Sequence, residues 1–66
     1  VAMAVAVFEL NVRRFPDEPN PYDSLAEAYL ASGDRKRAVA YYKKALEVDP
    51  QFANARQMLE RLSAGP

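Results

Sequence analysis

Apolar residues recur at helical spacing in four stretches of this chain, and most stretches are bounded by proline or glycine. In the first, Ala4, Phe8 and Val12 stand four apart with Val5 beside them, which predicts the inner stripe of a helix from Val1 or Ala2 to Arg14. Pro16 ends it, because a proline pushes the residue before it out of the α region. In the second, Tyr22, Leu25, Ala26 and Tyr29 share one face of a helix predicted from about Pro21 to Ser32. Asn20 is its expected N-cap, Pro21 suits its first position, and Asp23 can serve the free amides of its first turn. Gly33 stops that helix by supplying a left-handed residue. Asp34 is the expected cap of a third helix reaching about Val48, with Ala38, Tyr42 and Ala45 as its contact stripe and Val39 and Leu46 on the flanks. Arg35, Lys36 and Arg37 oppose the dipole at its start and Glu47 at its end, a cost of roughly a few tenths of a kcal/mol each. Burying the stripe, at ~25 cal/mol per Å², outweighs that. A fourth helix, from about Ala53 to Ser63, carries Ala55, Met58, Leu59 and Leu62 ahead of Gly65 and Pro66. Connectors this short force consecutive helices to pack antiparallel.

The pattern also repeats. Ala4, Val5, Phe8, Val12 and Pro16 return as Ala38, Val39, Tyr42, Leu46 and Pro50, an offset of 34 residues. A fixed period of this length marks units that stack side by side, each burying the apolar face of its neighbour. The expected architecture is therefore all-α: antiparallel helix-turn-helix repeats, a piece of an α-solenoid with about four helices, forming a single domain over residues 1–66. The chain opens in the middle of a repeat and without an initiator methionine, so it is expected to be a fragment of a longer protein.

Composition narrows the function classes. The chain has 66 residues, half of them hydrophobic, enough for a packed core although a domain this small buries only ~60% of its unfolded surface. Nine basic residues balance nine acidic ones, so no long-range field draws the chain toward nucleic acid or an anionic membrane. Val1 to Phe8 is apolar throughout, but far short of the ~20 residues of a membrane span. Cysteine and histidine are absent, which removes thiolate chemistry, the commonest general base and the commonest metal ligand. Neither a cofactor nor a metal site is expected. Asp23 with Glu27, or Asp17 with Glu18, could be proposed as paired catalytic carboxylates, yet no nucleophile or base accompanies them. The chain is read as a non-enzyme.

The stretch Pro19 to Phe52 resembles a tetratricopeptide repeat. Tyr22 stands where that family carries a large residue, Leu25, Ala26 and Tyr29 match its first helix, and Gly33 its turn. Ala38, Tyr42, Ala45 and Pro50 match its second helix and terminal proline. Val1 to Pro16 is similar to the second helix of a preceding unit, and Ala53 to Ser63 to the first helix of a following one. Departures occur at Asn11, where a small residue is usual, and at Arg35, where an aromatic is. Arg56, Glu60 and Ser63 make the last helix a polar cap that closes the stack.

The resemblance implies a scaffold that binds a protein or peptide partner in a groove lined by the first helix of each repeat. On this sequence the groove would comprise Asn20, Asp23, Glu27, Leu30 and Ala31, then Asn54, Gln57 and Arg61. Asp23 and Glu27 would repel a carboxylate, so the carboxylate clamp known in the family is disfavoured. The alternative is a C-terminal structural or oligomerisation appendage of an enzyme, because Tyr22 to Tyr29 is similar to repeats that close some bacterial serine hydrolases. Finally, Met3, Val5, Val7 and Leu10 cannot all face the second helix, and an exposed apolar strip of that kind tends to find a partner. Self-association through Val1 to Leu10, as a symmetric homodimer or by helix exchange, is expected.

Overall fold

The computed structural model describes residues 2–64 and the side chains of residues 4–63. Four helices follow one another: α1 (Ala2–Arg14), α2 (Pro19–Ala31), α3 (Arg35–Val48) and α4 (Ala53–Ala64). Each packs chiefly on its sequence neighbour, α1 on α2, α2 on α3 and α3 on α4, with the α2–α3 pair the most extensive. The Cα trace measures 33 × 26 × 13 Å, so the molecule is a slab whose helices lie close to both broad faces.

Small residues set the spacing of the central pair. Ala26, Ala38 and Ala45 are fully buried, and their lack of bulk lets the helices approach closely. Leu25 and Tyr42 fill the remaining volume, and Ala55 carries the same seam onto α4. Val5, Phe8 and Val12 of α1 close the core from one side, and Met58, Leu59 and Leu62 of α4 from the other. Tyr41, which the periodicity leaves off the contact stripe, lies between Tyr22 and Tyr29. Its ring centroid is 6.5 Å from one and 5.6 Å from the other, in near-parallel stacking.

The turn after α2 closes as its glycine dictates. Gly33 has φ +90. Its amide donates to the Leu30 carbonyl at 3.1 Å and the Asp34 amide to the Tyr29 carbonyl at 2.8 Å, the paired bonds of a Schellman motif. Asp34 then starts α3, its Oδ1 accepting from the Arg37 amide at 3.1 Å. At the third connector the Asp49 amide donates to Ala45 O, and Asp49 Oδ1 accepts from the Gln51 amide at 3.0 Å.

The start of α2 differs from the sequence expectation. Glu18 is the N-cap, without a side-chain cap bond, and Pro19 rather than Pro21 opens the helix. Both prolines fit because the first amides of a helix have no intrahelical acceptor in any case. Asn20 is therefore inside the first turn. Asp23 serves no free amide there; it turns toward α4.

Candidate functional site

The expected groove residues divide in space. Asp23 is buried on α2, and Asn54 of α4 donates its side-chain amide to both carboxylate oxygens, at 2.8 and 2.9 Å. These bonds join two helices through residues 31 apart in sequence. They form because α4 follows α3 antiparallel and so lies beside α2. Next to them, Glu27, Leu30, Ala31, Tyr42, Asn54 and Met58 line a cleft of about 390 Å³. Leu30, Ala31 and Met58 give it an apolar wall, and Glu27 and Asn54 a polar one.

Asn20, Gln57 and Arg61 stand apart from that cleft. Asn20 is exposed and borders a separate hollow with Phe8, Asn11, Phe15, Pro21 and Ser24. Gln57 and Arg61 are exposed on α4 and line none of these hollows. The reason is the repeat itself. Asn20 and Asn54 are equivalent positions one period apart, and neighbouring first helices touch with Asp23 of one against the early Asn of the next. Gln57 and Arg61 are the equivalents of Asp23 and Glu27 one period on.

Tyr42 and Met58 belong to the cleft although the sequence reading assigned both only to packing. Tyr42 is 0% exposed, and its hydroxyl has no hydrogen-bond partner among the described residues. Burial, then the charges of Asp23 and Glu27, push that hydroxyl up to about 12. Glu27 is exposed overall, yet partial burial, followed by the adjacent Asp23 carboxylate, raises its carboxyl above the ordinary 4.5. Among the described residues neither Asp23 nor Glu27 has a cation within ion-pair distance; the pair that forms is Arg37 with Asp34, at 3.5 Å.

The opposite side of α2 is internally satisfied. The Tyr29 hydroxyl donates to Glu9 Oε2 at 2.7 Å and ties α1 to α2. That hydrogen bond, ahead of burial, raises the tyrosine's pKa. The Tyr22 hydroxyl donates to the Pro16 carbonyl at 3.0 Å, and the Arg37 guanidinium sits 5.7 Å from the centre of the Tyr29 ring. Arg35, at a position where an aromatic is usual, donates to the Leu62 carbonyl, bracing α3 against the last turn of α4.

The N-terminal strip also needs correction. Val5 packs against the core and is not part of an exposed face. Met3 lies outside the described side chains. Val7 and Leu10 are 56% and 53% exposed, and Phe15, in the connector, is 48% exposed.

Antiparallel helix pairs with an alanine seam, a glycine turn and a period of 34 residues coincide with a match to the tetratricopeptide repeat model over residues 20–52, half of the chain. The chain belongs to the tetratricopeptide repeat family. No curated protein and no solved structure matches it. Tetratricopeptide repeats generally mediate protein–protein interactions and typically act as scaffolds without catalysis. Among the described residues no helix is long and apolar enough to cross a membrane, and no three His, Cys, Asp or Glu side chains gather as a metal site.

Proposed function

We propose that this tetratricopeptide chain is a non-catalytic interaction module that receives a peptide segment of a protein partner between α2 and α4. The observation that carries the reading is the cleft bordered by Glu27, Leu30, Ala31, Asn54 and Met58. Its two helices are held at fixed spacing by the Asp23–Asn54 hydrogen bonds. A preformed groove with one apolar and one polar wall suits an amphipathic or extended segment. Binding there needs no bond-making group, and its specificity comes from shape and polar complementarity.

The test is a displayed peptide library without charge bias, panned against the 66-residue chain and followed by amide hydrogen exchange of the complexes. Protection concentrated on α2 and α4 supports the reading. Protection confined to α1 and the outer side of α3 overturns it.

A second copy of the chain is the proposed occupant of the outer face of α1. Val7 and Leu10 lie one turn apart on that face and are more than half exposed. A two-fold axis lets one such strip cover its own copy.

A further inference from the structure

One carboxylate, Glu27, lines the cleft and a second, Asp23, stands behind it, neither with a cation within ion-pair distance among the described residues. Asp23 is buried and Glu27 stands one turn further along the same face of α2. Asn54 spends its amide N–H groups on Asp23, which leaves its side-chain carbonyl without an intramolecular partner among the described residues. Tyr42 adds a fully buried hydroxyl that is likewise unpartnered. Glu27, Asn54 and Tyr42, with Asp23 behind them, thus border the same space as Leu30, Ala31 and Met58.

We propose that this cleft is a receptor for a basic side chain, the guanidinium of an arginine or the ammonium of a lysine carried by the partner peptide. The proposal rests on the groove reading above and specifies its chemistry. A basic residue is an apolar stem with a charged tip; the stem would lie along Leu30, Ala31 and Met58, and the tip would meet the Glu27 carboxylate. The Asn54 carbonyl and Tyr42 hydroxyl oxygens would accept the remaining N–H donors. Asp23, held behind Asn54, contributes its field and needs no direct contact. Charge-assisted hydrogen bonds of this kind are the strong ones. The Tyr42 hydroxyl, buried and unpaired in the free protein, favours a group with N–H donors over an apolar one. A carboxylate or phosphate ligand meets the opposite field and is excluded.

The experiment titrates the isotope-labelled chain at neutral pH and low salt with n-butylguanidinium, and in parallel with n-butylurea, its neutral counterpart. Saturable shifts at the Asn54 side-chain amide and the Leu30 and Ala31 amides are expected, about tenfold tighter for the cation than for the urea. Glu27→Gln, at an exposed position, should keep the fold and remove that preference. Tyr42→Phe, which preserves packing, should weaken binding of both probes, since each offers N–H donors to that hydroxyl. Equal response to both probes, or shifts scattered over all four helices, overturns the proposal. The library peptides separate this outcome from failure of the groove reading. Peptides that protect α2 and α4 and are enriched in Arg or Lys support both. Peptides that protect α2 and α4 without that enrichment overturn the basic-side-chain proposal and leave the groove standing.

Discussion

Tyr42 serves two purposes that conflict. Its ring fills the α2–α3 seam, and its hydroxyl is shut away beside two carboxylates without a partner. A buried polar group left unpaired costs about 1–3 kcal/mol, so Tyr42→Phe should stabilise the chain by roughly 1 kcal/mol in urea titrations. The pH dependence has a definite sign. The folded chain keeps the Tyr42 proton to about 12, whereas an unfolded tyrosine releases it near 10. Between those values the native state binds more protons, so stability falls as pH rises. Tyr42→Phe should lose less stability over that range, with Tyr29, also raised, supplying part of the remainder. Glu27 behaves alike at lower pH. Its raised carboxyl means that stability falls as it ionises. Glu27→Gln should therefore melt higher than the parent at neutral pH, and the gap should close below 4.5. Gly33 is simpler. A Cβ there would meet nothing within 4 Å, so Gly33→Ala isolates the backbone cost of φ +90, about 1–2 kcal/mol by thermal or urea unfolding.

At the scale of the element, boundaries follow the side chains that satisfy helix ends. Asp34→Ala removes the bond to the Arg37 amide and should destabilise by about 0.5–2 kcal/mol, while Asp34→Asn or Asp34→Ser should recover most of it in the same denaturation assay. The ends of α3 were legible because Asp34 and Asp49-Pro50 admit one reading each. The start of α2 was not, since Pro19-Asn20-Pro21 offers two eligible first positions and local propensity does not choose between them. The stripe of Ala38, Tyr42 and Ala45 was legible from spacing alone. Tyr41 was not, because its burial comes from stacking on Tyr22 and Tyr29 across helices, and intrahelical periodicity carries no record of a neighbour. The candidate site was half legible for the same reason. Repeat position grouped Glu27, Leu30 and Asn54, and the three line one cleft. That Asn54 hydrogen-bonds Asp23 while Gln57 and Arg61 make no hydrogen bond to α2 among the described residues depends on the stagger between α2 and α4, which a period in sequence does not specify.

For the whole molecule, association is the property most open to a simple measurement. If α1 pairs with its own copy, sedimentation should show dimer growing with concentration, and a Val7→Glu, Leu10→Glu double variant should stay monomeric with unchanged helicity. A parent chain that remains monomeric at millimolar concentration would sink that proposal. The thin slab has one more consequence. With α1 resting chiefly on α2, and α4 chiefly on α3, either outer helix can leave the shared core while the α2–α3 seam stays closed. Opening should begin at the two outer layers and move inward, leaving the α2–α3 hairpin as the last cooperative unit. A ligand gripping α2 and α4 at once would then act as a clasp, stiffening one margin of the chain while the other still frays.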